Sequence, residues 1–243
     1  MSFSKNQTKV INKLRQKKYR MKEGLFVAEG IKVVKELLAS SFELDTLFVT
    51  EAASENFTSY KVEIVNEVDL KKLSSLKSPN GVLALFKIPV EKALNSSGLV
   101  LVLDEVNDPG NLGTIIRLCD WFGIQQLVCS VNTVDCYNEK VVQSTMGSLS
   151  RVAINYVDLL PFLEKCASPM YIADMVGENV YEAKLPKEAV LIMGNEANGI
   201  SDAVRDYVTN SLSIPRFGVI QATESLNVAT ATSILLSEFR RRV

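Results

Sequence analysis

From Leu99 onward, short apolar runs alternate with helix-patterned segments, and this alternation restricts the possible fold more than any other feature of the 243-residue chain. Leu99–Leu103 is continuously apolar, the pattern of a strand buried on both faces. A helix over Gly113–Phe122 follows, then strand Gln126–Ser130, helix Glu139–Leu149, strand Val152–Val157 and helix Leu159–Cys166. Strands Tyr171–Ala173 and Val190–Met193, helix Asp202–Val208 and strand Ser211–Ile214 continue the series. Strands and helices at this spacing predict an α/β domain, a parallel sheet covered by helices on both faces. A last helix, from about Leu226 to Arg241, carries no charge as far as Ser237 and is apolar or small on every face. That predicts burial all round, against its own domain or a second subunit.

The preceding part is mixed α/β on a smaller scale. Residues 8–22 have helical propensity, and Leu25–Ala28, Thr46–Thr50, Val62–Val65 and Val82–Phe86 have strand character. Ile31–Leu38 and Val68–Leu76 are patterned as helices. Asn95-Ser96-Ser97-Gly98 closes the best linker stretch. The expected organisation is a basic arm over residues 1–22, a small domain over 23–90, a linker over 91–98 and a larger domain over 99–243. Roughly 100–200 residues per domain is consistent with two modest units.

Composition removes several chemistries. The chain has no histidine, which excludes Ser-His-Asp hydrolysis, Cys-His acyl transfer and His-ligated zinc. Cys119, Cys129, Cys136 and Cys166 form no CxxC pair, so buried, reduced thiols are expected, and no metal site. No apolar run approaches the ~20 residues of a membrane span. The polar, basic start lacks an apolar leader, so a cytoplasmic protein is expected. The net charge is −1, but residues 1–98 carry 16 basic and 11 acidic groups, while the remainder is acidic by 17 to 11. Eight cations, Lys5, Lys9, Lys13, Arg15, Lys17, Lys18, Arg20 and Lys22, precede the first acid, Glu23. Such an arm can meet phosphates or can be a solvated helical face.

Ligands of parallel sheets bind beyond the carboxyl ends of the strands. Three polar loops hold that position here: Asp108–Gly113, Gly194–Gly199, and the stretch from Pro215 through Gln221-Ala222-Thr223-Glu224-Ser225. Glycines allow close backbone approach, and helix starts offer free N–H groups. Each loop also has a plain structural reading. Asp-Pro-Gly-Asn is a good turn, Asn111 and Ser225 suit helix N-caps, Arg117 suits a surface ion pair, and Glu196 suits a solvated loop.

As strings, the loops carry more. Asp108-Pro109-Gly110-Asn111-Leu112-Gly113-Thr114-Ile115-Ile116-Arg117, Met193-Gly194-Asn195-Glu196-Ala197-Asn198-Gly199-Ile200, and Ile214-Pro215 followed by Ser225-Leu226-Asn227-Val228 match three motifs in order. The chain resembles the SpoU/TrmH family of RNA ribose 2′-O-methyltransferases, within the SPOUT superfamily. Gly24–Gly30 and Ser78–Ala84 are similar to that family's small substrate-binding domain. The resemblance implies a deep trefoil knot that binds S-adenosylmethionine, and a homodimer whose active site draws on both subunits. It implies RNA as substrate, ribosomal or transfer, with no membrane or metal involved. By position, Asn111, Arg117, Glu196, Ser225 and Asn227 match the family's active-site residues. Gly194, Ile214 and Leu226 match positions whose backbone holds the cofactor. Departures are the longer spacing between Ile214 and Leu226, Arg216 in place of a common Met, Ala229 in place of a frequent Ser, and Gln143 where a basic residue is frequent.

Without histidine, the acceptor of the 2′-hydroxyl proton has to be sought elsewhere. Arginine is effectively never deprotonated in proteins, so Arg117 is expected to act as a cation that binds phosphate and stabilises the forming alkoxide. Glu196 would orient it or accept the proton. A non-catalytic RNA-binding protein that keeps the fold is the alternative, and it would not need Asn111, Arg117, Glu196 and Ser225 together.

Overall fold

A computed structural model describes residues 3–220 and 225–241. The chain forms two compact units, divided at Val90/Glu91, with 135–150 grouped with the first.

In the first unit, α1 (Lys5–Leu14) starts on a capping box, in which Ser4 Oγ accepts from the Gln7 N–H and the Gln7 side chain accepts from the Ser4 N–H. After a break at Arg15-Gln16, α2 (Lys17–Glu23) ends on Gly24 in the left-handed conformation, φ 65°. Then come β1 (Leu25–Glu29), α3 (Ile31–Leu38), β2 (Leu44–Val49), α4 (Glu51–Ser54), β3 (Glu63–Ile64), α5 (Glu67–Leu73) and β4 (Val82–Lys87). The sheet order is β1-β4-β2-β3, with β4 antiparallel to both neighbours.

The N-terminal helices are part of this unit's core. Ile11 and Leu14 are fully buried with Val27, Phe48, Leu70, Leu83 and Leu85. Arg20 is buried, its guanidinium bonded to the Asp135 carboxylate and to the Leu14 carbonyl. Residues 1–22 therefore differ from the expected free arm: the apolar positions between the lysines belong to the core. Lys5, Lys9, Lys17, Lys18 and Lys22 remain exposed.

Residues 91–98 have no helix or strand and lead into β5 (Leu99–Leu103), α6 (Pro109–Phe122) and β6 (Gln126–Ser130) of the second unit. The chain then returns to the first unit for α7 (Glu139–Thr145), whose Val141, Val142 and Thr145 are buried and which packs on β1. The sequence reading had placed this helix with the larger domain. The second unit resumes with β7 (Ala153–Val157), α8 (Leu159–Leu163), β8 (Met170–Asn179), β9 (Ala189–Met193), α9 (Asp202–Tyr207), β10 (Asn210–Ser213) and α10 (Val228–Arg240).

Its sheet is parallel throughout, in the order β10-β8-β9-β5-β6-β7. Every residue of β5, β6 and β9 is buried, as continuous apolar runs require. β8 continues six residues past the expected end at Ala173, as a partly exposed strand beside β10. The last helix also differs from expectation. Val228, Ala229, Thr232, Leu235, Leu236 and Phe239 are buried, but Thr230 and Ser237 are exposed, so α10 has one face that its own chain does not cover.

Candidate active site

Strand order places the site. After β5 the chain adds β6 and β7 on one side, whereas β9, β8 and β10 lie on the other. The crevice of such a sheet opens where the order reverses, at the carboxyl ends of β5 and β9. These strands pair in register to Leu103 and Met193, so the loops at 104–108 and 194–199 leave the sheet side by side.

Both loops are tightly specified. Asp104 is buried; its N–H donates to the Met193 carbonyl at 2.8 Å, and its carboxylate accepts from the Ser201 N–H at 2.8 Å. Glu105 has a left-handed backbone, φ 59°, rare for a residue with a side chain. Its carbonyl accepts from Asn195 Nδ2 at 2.6 Å, and Asn195 Oδ1 accepts from the Ala197 and Asn198 N–H groups. Asn195 and Gly199 exchange backbone bonds at 2.8 and 2.9 Å, closing the loop. A Cβ at Gly194 would stand 2.4 Å from the Gly199 carbonyl carbon, so only glycine allows this closure.

Asp108, not Asn111, caps α6; its carboxylate accepts from the Asn111 N–H at 2.8 Å, and Pro109 fills the first helical position. The helix thus begins four residues earlier than its apolar pattern suggests. Asn227, not Ser225, caps α10, accepting from the Ala229 and Thr230 N–H groups at 3.0 and 3.2 Å. With the caps supplied elsewhere, Asn111 is free for another role. Its Nδ2 donates to Glu196 Oε1 at 2.9 Å, and its Oδ1 accepts from Asn227 Nδ2 at 2.8 Å. One network therefore joins a residue from each of the three loops. Among the described residues, Glu196 Oε2 has only a long contact from the Asn107 N–H, 3.4 Å.

Beside the network lies a cavity of about 1040 Å³, lined by Gly194, Glu196, Ile214, Ser225 and Leu226 among others. Five of the eight expected site residues thus share one cavity, and Asn111 and Asn227 join it through Glu196. Arg117 stands apart, on the exposed side of α6, with no carboxylate partner among the described residues. Gln221–Glu224 of the third loop lie outside the described residues.

Two lining residues, Asp174 and Arg205, had no signature in the sequence; they are bonded to each other. Burial raises the Asp174 carboxyl, but the hydrogen bond and charge of Arg205, together with the Met175 and Val176 N–H groups, outweigh it and hold the group below the ordinary carboxylate range. A depressed folded-state value stabilises the fold above the unfolded value of about 4 and is lost as pH falls through the lower one. The melting-temperature gap between wild type and Asp174→Asn is therefore expected to be open at pH 7 and to narrow below about pH 4. A gap that does not change with pH would remove the ion pair as its cause.

The sequence pattern of the SpoU rRNA methylase family matches residues 98–237, more than half of the chain. The chain belongs to the SpoU rRNA methylase family. Residues 5–84 match the MRM3-like substrate binding domain. The chain is 31% identical to the 23S rRNA (guanosine(2553)-2′-O)-methyltransferase RlmP of Bacillus subtilis, over 98% of this chain and 97% of the relative. An RNA methyltransferase of the TrmH family from Porphyromonas gingivalis has the same fold at a TM-score of 0.89 and 38% identity, both chains covered completely. The AdoMet-bound rRNA methyltransferase from Sinorhizobium meliloti aligns at a TM-score of 0.86 and 28% identity, covering 100% of this chain and 97% of that one.

The SpoU-family cavity suits S-adenosylmethionine on its own chemistry. Its volume is at the upper end of the roughly 300–1,000 Å³ of small-molecule sites. Leu212, Val228, Ala231 and Leu235 offer apolar surface to a purine, and Asp174, Glu196, Arg205 and Arg216 bring both charges to a zwitterionic amino-acid end. Among the described residues no cluster of Cys, Asp or Glu could hold a metal ion, and no helix is long and apolar enough to cross a membrane.

Proposed function

We propose that the backbone at Gly194, Ile214 and Leu226 holds S-adenosylmethionine in this cavity, and that the Asn111–Glu196–Asn227 network presents to it a ribose 2′-hydroxyl of ribosomal RNA. As a SpoU-family member, the chain is an S-adenosylmethionine-dependent RNA 2′-O-methyltransferase. The observation that carries the detailed reading is the convergence of three separate loops on one cavity, with a hydrogen-bonded carboxylate at its edge. The choice of ribosomal RNA, in the cytoplasm, rests on the named target of the Bacillus subtilis relative. In this reading the C-terminal unit is knotted around the cavity, as its family resemblance implies.

The bound cofactor supplies a methyl group made electrophilic by its sulfonium. Glu196 Oε1 is engaged by Asn111, so Oε2, with a single long contact among the described residues, is the atom that takes the hydroxyl proton. Asn227 holds Asn111 in register, and Ser225 fixes the ribose from the opposite loop. Alignment of this kind is worth up to roughly 7–11 kcal/mol. Transfer of labelled methyl from S-adenosylmethionine to ribosomal RNA from cells lacking the gene tests the reading. Cofactor binding without transfer to any RNA would instead leave a binding protein that keeps the fold.

Arg117 completes the site from a second protomer. It is exposed, without a carboxylate partner among the described residues and outside the cavity of its own chain, on a helix that also displays Trp121, 84% exposed. Phe217, Val219 and Ile220 by the cavity are largely exposed too, more apolar surface than a monomer ordinarily shows. Sedimentation at micromolar concentration is expected to give twice 26.9 kDa without RNA. A monomer at that concentration would exclude the shared site.

A further inference from the structure

A second cavity, of about 530 Å³, lies wholly within the first unit, between the start of α3, the α4 and α5 helices and the Lys77–Gly81 turn. Its lining is of two kinds. Ile31 and Pro79 provide apolar surface; Lys71 and Lys77 provide two cations against the single carboxylate of Glu67. Lys35, whose Nζ is held 2.9 Å from Asn56 Oδ1 of the lining, adds a third positive charge nearby.

Two further observations describe the cavity: one of its edges favours an anion, and its wall is preformed. The eight-residue helix α3 starts at the cavity with Gly30 as its N-cap, so no side chain serves its first N–H groups. Uncapped helix starts favour phosphate. The wall is preformed: the Thr50 N–H donates to the Gly81 carbonyl at 2.8 Å, and a Cβ at Gly81, φ 81°, would stand 2.5 Å from Thr50 Oγ1.

We propose that this cavity holds one unpaired nucleotide of the RNA substrate, its base against Ile31 and Pro79 and its flanking phosphates on Lys71 and Lys77. The inference rests on the reading that RNA is the substrate. An unstacked base that finds an apolar platform, with cations tracking the backbone, is how proteins hold single-stranded and looped RNA. The cavity would then grip RNA remote from the methylated ribose and contribute to affinity rather than to chemistry.

The test compares full-length wild type, Lys71→Ala/Lys77→Ala, and a control with the same charge loss in the other unit, Lys184→Ala/Lys187→Ala. All four lysines are exposed, so folding is not at stake. With ribosomal RNA as substrate, the cavity variant is expected to raise KM for RNA about tenfold while kcat and cofactor affinity stay at wild type, as loss of ground-state grip requires. Binding of a fluorescein-labelled mixed-sequence RNA 12-mer should lose about 1.4 from its logarithmic salt slope, roughly 0.7 for each phosphate contact. Cross-links from a 4-thiouridine-substituted RNA should map to residues 67–81 in wild type. An active wild type with unchanged KM, slope and cross-links in the cavity variant, or an equal change in the control, would overturn the cavity assignment alone. A wild type that neither binds nor methylates RNA would overturn the assignment together with the reading beneath it.

Discussion

Arg117→Ala is expected to lower methyl transfer at least about a hundredfold, with cofactor affinity and melting temperature close to wild type. One lost electrostatic contact to a transition state typically costs 10²–10³ in rate, roughly 2.7–4 kcal/mol. The fold should tolerate the change because the side chain is exposed and pairs with no carboxylate among the described residues, so its removal strands no buried group there. Lysine at this position should not restore the rate, since it lacks the planar fork that holds a phosphate and an alkoxide together. Because Arg117 is outside its own cavity, a mixed dimer of Arg117→Ala and Glu196→Gln chains should recover part of the activity, having one site with both residues intact. A variant that keeps more than about a tenth of the wild-type rate would remove Arg117 from the chemistry.

The parts of the site that were readable in the sequence are those built from residues with one special property. Strands β5 and β9 were legible because burial on both faces leaves no polar position in the run, and β6 keeps an apolar centre between the polar Gln126 and Ser130. The three loops stood out because glycine, proline and asparagine at fixed offsets have few structural alternatives. The same chemistry obscured the details: Asp108 and Asn111, or Ser225 and Asn227, are equally good caps by type, and only the geometry shows that Asn111 is released into the network while Asn227 both caps its helix and joins it. Asp174 and Arg205 meet at the cavity from elements 31 residues apart, so no local pattern records them. Helix α7 was assigned to the larger domain because its neighbours in sequence are there. Its apolar face is visible in the sequence, but not the strand, β1, on which it packs.

Residues 1–22 show how a charge pattern can hide a structural part, and they carry the largest stability effect expected. Arg20 looks like one more lysine-like charge in a basic run, yet it is 2% exposed. Its Nε donates to Asp135 at 2.9 Å, and its Nη1 donates to the Leu14 carbonyl at 2.7 Å. Asp135 is itself buried and begins the segment that carries α7 back to this unit. Arg20→Met fills similar space but leaves the Asp135 carboxylate in the interior without a counter-charge. Breaking a buried pair in this way costs about 3–5 kcal/mol, a large part of the 5–15 kcal/mol by which domains are ordinarily stable. Urea unfolding followed by Trp121-independent probes such as far-ultraviolet dichroism should show the loss, and amide exchange should quicken in α2 and β1. The double variant Arg20→Met/Asp135→Leu should recover much of it, because no charge is then stranded. Deleting residues 1–22 is expected to unfold the unit outright, since it also removes Ile11 and Leu14 from the core at about 2–5 kcal/mol each. The contribution of the basic face to RNA binding is therefore to be measured by replacing the exposed Lys9, Lys17 and Lys18. A loss below about 1 kcal/mol in Arg20→Met would mean that water reaches Asp135, and that the pair belongs with surface ion pairs instead.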